Sequence, residues 1–159
     1  MTVLTLVRVM LELREEPYDG PAAASLVDAV QAEYVERYGS HDETPVDPAE
    51  FAPPGGRFVV GYVGDQPVAT GGLRRHGEET VEIKRMFVAA GWRGRGFSRQ
   101  VLAHLEALAR ELGARHVILE TGQKQPEAIR LYETSGYHRI DGFGHYAGHE
   151  LSLSFGKDL

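Results

Sequence analysis

At 159 residues, 42% of them hydrophobic and none of them cysteine, the chain is sized for one domain with a substantial core. It has no means of making disulfides, thiolate metal sites or a cysteine nucleophile. Its net charge of −6 is unevenly spread: residues 1–50 hold 11 acidic and 3 basic side chains, while residues 74–99 hold seven Arg and Lys against three Glu. A local basic patch on an acidic chain suits a small polyanion and argues against a long nucleic acid.

Alternation from Val3 through Leu13 predicts a first strand, broken at Glu15-Glu16-Pro17. Met10 by itself opens a complete strand, so residues 1–9 read as an N-terminal extension of a single domain over 10–159. The opening carries Arg8 inside its apolar stretch and has no small-residue cleavage site. No run approaches the roughly 18 apolar residues of a membrane span, so a cytoplasmic protein without a membrane partner is expected. Pro21 starts a helix with Leu26, Val30, Tyr34 and Tyr38 on one face, and Gly39 stops it. Residues 39–56, with four prolines, read as a loop with at most one helical turn; a loop this long is often functional. Residues 57–63 and 67–73 form a hairpin, and Thr80 to Val88 is a long strand. A turn and helix cover 94–112. Strand 115–120, helix 126–135 and strands 137–140 and 149–155 close the chain.

The most informative stretch is Glu82 to Arg99. An apolar β-forming run (Ile83, Met86, Phe87, Val88) breaks at Gly91, and from Phe97 apolar residues recur at helical spacing (Val101, Leu105, Leu108, Leu112). A glycine turn between strand and helix aims free backbone N–H groups, at the positive end of the helix dipole, toward one spot. Gly94 and Gly96 let an anion approach the backbone, and Arg93, Arg95 and Arg99 add charge. This is a pyrophosphate site on physical grounds. It lacks the Gly-Lys-Ser/Thr ending of a P-loop, and position 99 is arginine where a dinucleotide fingerprint needs its third glycine.

Arg93-Gly94-Arg95-Gly96-Phe97-Ser98 resembles the coenzyme A loop of the GCN5-related N-acetyltransferases, Arg/Gln-x-x-Gly-x-Gly/Ala, with serine at its last position. Gln125 to Tyr137 is similar to the same family's Asn-x-x-Ala-x-x-Leu-Tyr-x-x-x-Gly-Phe/Tyr pattern, with Gln125 in place of Asn. The resemblance runs from about Met10 to Leu159 and points to a bacterial branch of small-molecule acetyltransferases. It implies the family's α/β fold, a mixed, mostly antiparallel sheet flanked by helices. Acetyl-CoA is the implied co-substrate, held by Met86, Phe87, Val88, the loop 93–99, Gln125 and Tyr132. It further implies direct transfer of the acetyl group to the amine of a small or amino-acid-like acceptor.

Within that resemblance Tyr132 is the expected general acid, its phenol near the coenzyme sulfur, and Glu82 or Glu120 the expected base. Arg85, with Arg74 or Arg75, can pair in a two-pronged way with an acceptor carboxylate. His145 and Tyr146, after Gly142-Phe143-Gly144, can lean over the acceptor. The seven histidines show no metal spacing, and no metal is expected. A homodimer paired through the last strand is allowed. A non-catalytic acyl-CoA sensor, and an acetyltransferase acting on protein amines, are the alternatives.

Overall fold

The structure, a computed structural model, describes residues 9–159. The start of the expected strand at Val3, and nearly all of the expected extension 1–9, lie outside the described residues. What is described of the first strand, β1, is Glu12–Glu15, shifted toward the Pro17 break. There follow α1 (Pro21–Tyr38), a 3-10 turn (Pro48–Phe51), β2 (Gly56–Val63), β3 (Gln66–Arg75) and β4 (Thr80–Val88). The chain continues through α2 (Phe97–Glu111), β5 (His116–Gly122), α3 (Pro126–Thr134), β6 (His138–Arg139) and β7 (Ser152–Asp158). This is the α/β order read from the sequence. Among the described residues, no helix is long and apolar enough to cross a membrane.

The strands lie in the order β1-β2-β3-β4-β5-β7-β6, and every neighbouring pair is antiparallel except β4–β5. Period-two alternation sorts β2 between two cores. Phe58, Val60 and Tyr62 pack with Leu26 and Val27 of α1 and with Phe51, while Val59 belongs to the core built on α2. Helix α2 buries Val101, Leu102, Leu105, Leu108 and Ala109, the stripe its spacing implies.

What positions the site is a break in pairing. Strands β4 and β5 are hydrogen-bonded only where Thr80, Val81 and Glu82 meet His116, Val117 and Ile118. Beyond those residues the two strands continue, unpaired with each other, to Val88 and Gly122. Parallel strands that stop pairing in mid-sheet leave backbone donors and acceptors facing a cleft, where a ligand can meet them.

The last strand begins at Ser152, three residues later than its pattern implies, because the chain turns first: His149 N–H donates to the Tyr146 carbonyl and Ser152 N–H to that of His149. β7 also lies inside the sheet, bonded to β5 along its length and to β6 at Phe155 and Gly156. That pairing occupies part of the edge that a dimer through this strand would use.

A polar cluster ties α2 to the sheet. Lys157 Nζ donates to Glu106 Oε1 (2.8 Å) and Oε2 (3.1 Å), and the Tyr137 hydroxyl donates to Glu106 Oε2 (3.2 Å). Lys157→Met leaves the buried Glu106 carboxylate short of its counter-charge. It is expected to lower the unfolding free energy by about 2–3 kcal/mol, read by urea denaturation. Adding Glu106→Gln to that variant should recover much of the loss.

Candidate active site

Gly94 and Gly96 both hold left-handed backbone, at φ 77° and 80°, and Gly96 caps α2. Glycine takes this conformation without the strain another residue would suffer, and it bends the chain into the first turn of α2. The turn lines a cleft of about 200 Å³ whose other walls are β4, α1 and α3. Met86, Phe87, Val88, Arg93, Gly94, Gly96, Phe97, Ser98, Gln125 and Tyr132, all expected from the sequence, line this one cleft.

The arginines divide. Arg93 stays in the wall, its Nε donating to the Val88 carbonyl (2.9 Å) and its NH2 paired with Glu33 (2.6 Å). Arg95 lies over the Trp92 ring (5.0 Å), and Arg99 donates to Thr134 Oγ1 and Ser135 Oγ (2.9 Å each). Neither Arg95 nor Arg99 lines the cleft. At this turn the cleft is therefore lined by the backbone of Gly94 and residues 96–98 more than by converging guanidinium groups.

A second cavity, of about 280 Å³, adjoins the first, and the two share Tyr34, Met86, Gln125, Ala128 and Tyr132. Tyr132 is only 5% exposed and lies edge-on to Tyr137 (5.7 Å). Its hydroxyl has no hydrogen bond among the described residues, none of which has a sealed side-chain polar atom without a partner. The hydroxyl is therefore open to the cavity. Burial pushes its pKa well above the ordinary phenol value, so at neutral pH it is a proton donor. Burial also pushes Tyr34 up, to about 12.

The two candidate carboxylates part company. Glu82 is 4% exposed and its Oε1 is held by Arg74 Nε at 2.9 Å. It lines neither cavity, because it stands where β4 is still paired to β5. As a candidate base it is displaced: it stands outside the cavities, closed by an ion pair. Arg74 is occupied by the same pair, and Arg75 donates to the carbonyls of Glu78 (3.1 Å) and Leu112 (2.7 Å), away from the site. Glu120 lies past the end of that pairing and lines the larger cavity. Ser152 Oγ donates to it at 3.4 Å, and burial raises its pKa above the usual carboxylate value although Lys84 pulls the other way.

Arg85 lines the larger cavity, and Tyr146 does too, but His145 does not; His41 and His149 stand there instead. The turn after Gly144 faces Tyr146 and His149 inward, and His145 packs edge-on to Tyr146 at 4.7 Å. Tyr146 also holds the far wall in place, its hydroxyl accepting the Glu43 N–H at 2.8 Å. Sequence reasoning missed Asp42. Its carboxylate pairs with Lys84 Nζ at 2.9 Å and with Arg85, and accepts from Thr44 N (2.9 Å) and Oγ1 (2.6 Å). Burial pushes this carboxyl up, but Lys84 and Arg85 outweigh it and hold it well below its ordinary range. The signal available in the sequence was only an acidic residue in a long loop.

Gly122, at the end of β5, is pressed against Tyr38: a Cβ there would overlap the phenol and lie 2.9 Å from Cε1. Gly122→Ala must push Tyr38 aside and break the hydrogen bond its hydroxyl accepts from Gln125 Nε2 (3.3 Å). Both residues line the larger cavity. The expected result is that a ligand of the larger cavity is held roughly tenfold less tightly, the loss of about one hydrogen bond and its packing, with a smaller change for a ligand of the glycine-turn cleft.

Known proteins resemble this chain in sequence and fold. The acetyltransferase (GNAT) family model matches residues 23–137. Over 147 residues the chain is 31% identical to the IAA acetyltransferase of Azospirillum brasilense, covering 92% of this chain and 95% of that one. A Klebsiella pneumoniae protein provisionally described as an acyl-CoA N-acyltransferase has a solved structure with TM-score 0.81 and 26% identity, covering 95% of this chain and 99% of that one. An Elizabethkingia anophelis GNAT acetyltransferase, solved with acetyl-CoA bound, shares the fold at TM-score 0.69 and 15% identity, with 94% and 98% covered. The chain belongs to the GNAT acetyltransferase family. It is an N-acetyltransferase.

Proposed function

We propose that this enzyme moves the acetyl group of acetyl-CoA directly onto the amine of a small acceptor. The carrying observation is that the glycine-turn cleft and the larger cavity adjoin at Tyr132. A pyrophosphate on the amides of residues 94–98 would send the pantetheine arm along Met86–Val88, where β4 has left β5. That the related fold from Elizabethkingia anophelis binds acetyl-CoA supports this use of the cleft.

Each group then has a task. The amine must lose a proton, and Glu120 is the carboxylate at hand, with burial making it a stronger base than an exposed glutamate. The departing thiolate needs a donor, and the Tyr132 hydroxyl is neutral and free to give one. Holding thioester and amine together in adjoining cavities lowers the barrier further, because binding has already removed their translational freedom. With no cysteine in the chain, direct attack by the amine is the economical route.

The test is release of free thiol from acetyl-CoA across an amine panel. Tyr132→Phe is expected to lower kcat by about 10–100-fold while the KM for acetyl-CoA stays nearly constant, since the bond is made as the thiolate leaves. Tight coenzyme binding without turnover on any amine would instead make the chain an acyl-CoA sensor.

A further inference from the structure

Two adjacent residues of one strand normally point to opposite faces of a sheet. Lys84 and Arg85 do not. β3 and β4 lose register between Thr70 and Gly72: Thr70 faces Phe87 and Gly72 faces Lys84, so β4 carries one extra residue there. Arg85 sits in that bulge with φ 59°, the one non-glycine residue with positive φ among those described. The Thr70 hydroxyl fixes the distortion by donating to the Arg85 carbonyl at 2.8 Å. A bulge of this kind re-aims a side chain, and here both cations line the larger cavity and meet the same carboxylate, Asp42.

The charges there are unequal in hydrogen-bonding capacity. Lys84 and Arg85 are 9% and 3% exposed as side chains, and their shared counter-ion is Asp42. Lys84 has three N–H donors and Arg85 five. Among the described residues Lys84 Nζ bonds only to Asp42, while Arg85 bonds to Asp42 through NH1 and to the Tyr18 hydroxyl through Nε at 3.4 Å. Arg85 NH2 has no such partner, and none of the described side-chain polar atoms is both sealed and unpaired. Arg85 NH2 is thus accessible, Lys84 Nζ has donor capacity beyond the bond to Asp42, and both side chains line the larger cavity, where a desolvated positive charge attracts an anion strongly.

We propose that the Lys84–Arg85 pair, turned into one cavity by the bulge, binds a carboxylate carried by the acceptor, so that the preferred acceptors are amino acids. This rests on reading the larger cavity as the acceptor site. The ammonium end of such a molecule then lies toward Glu120, and Asp42 remains as the partial counter-charge that keeps the empty cavity neutral enough to fold. Backbone strain at Arg85 accompanies the turning of two neighbouring cations to one side.

The experiment is calorimetry on coenzyme A-loaded protein with matched pairs: an amino acid and the carboxylate-free amine left by its decarboxylation, for example leucine with isoamylamine, and phenylalanine with phenethylamine. For the pairs that fit the cavity, the member with the α-carboxylate is expected to bind roughly tenfold or more tightly. Lys84→Met should remove most of that preference while leaving the affinity for the decarboxylated member within about threefold. Lys84→Arg should restore part of it, which a merely structural lysine would not require. Equal affinity within every pair, or no binding by any α-carboxylated member, overturns the proposal. Turnover is measured separately: binding with the expected preference but no thiol release from acetyl-CoA would overturn acetyl transfer and leave the carboxylate site standing.

Discussion

Gly96→Glu is expected to weaken coenzyme A binding by at least about a hundredfold in calorimetry. Two costs add. Gly96 has φ 80°, where a residue with a Cβ is strained by roughly 1–2 kcal/mol. The new carboxylate also stands at the N-terminus of α2, beside the place where a pyrophosphate would lie, and like charges at close range repel strongly. A Cβ at Gly96 meets nothing within 4 Å, so the variant should fold. Gly96→Ala separates the two costs: it carries the strain without the charge, and should lose about tenfold. Full affinity in Gly96→Glu would mean that the phosphates bind elsewhere.

The second large effect concerns the base. Glu120→Gln is expected to lower kcat/KM by about 10²–10⁴-fold, the range for a lost general base. Glu82→Gln leaves the lining of the larger cavity in place and removes one of the charges that raise the Glu120 pKa; its main deficit should appear in thermal stability, because it weakens the pair with Arg74 (2.9 Å). The pH profile carries the same information. Burial raises the Glu120 pKa in the folded chain, so the acidic limb of kcat/KM should fall at a higher pH than for an ordinary glutamate. The sign for stability is opposite. A carboxyl whose folded pKa is raised penalises folding once pH climbs above its unfolded value, and the penalty is complete above the folded value. Glu120→Gln should therefore be slower yet no less stable at neutral pH. A wild-type rate in this variant would remove Glu120 from the mechanism.

The glycine turn was legible because it is a local property, whereas Tyr132 came from the resemblance of residues 125–137 to the family pattern. A turn needing φ of 77° and 80° selects glycine, and a strand followed by an amphipathic helix declares itself by a change of period. The choice between Glu82 and Glu120 was not local. It depends on where β4 and β5 part, which is settled by pairing between residues as distant in sequence as Glu82 and Ile118, and by Arg74 reaching across from β3. Asp42 was hidden for a similar reason: its partners are 42 and 43 residues away. Alternation along β4 would have put Lys84 and Arg85 on opposite faces, and only the bulge opposite Gly71 reverses that. The glycines before His145 point to that histidine, whereas the turn that follows presents Tyr146 and His149 to the cavity.

The most direct measurement is a crystal structure with acetyl-CoA. The pyrophosphate is predicted on the main-chain amides of residues 94–98, the pantetheine arm beside Met86–Val88, and the thioester sulfur within hydrogen-bonding reach of the Tyr132 hydroxyl, roughly 3–3.5 Å, with the acetyl carbon open to the cavity holding Glu120. Phosphates seated away from that turn, or an acetyl group on the side of α3 remote from Tyr132 and Glu120, would contradict it.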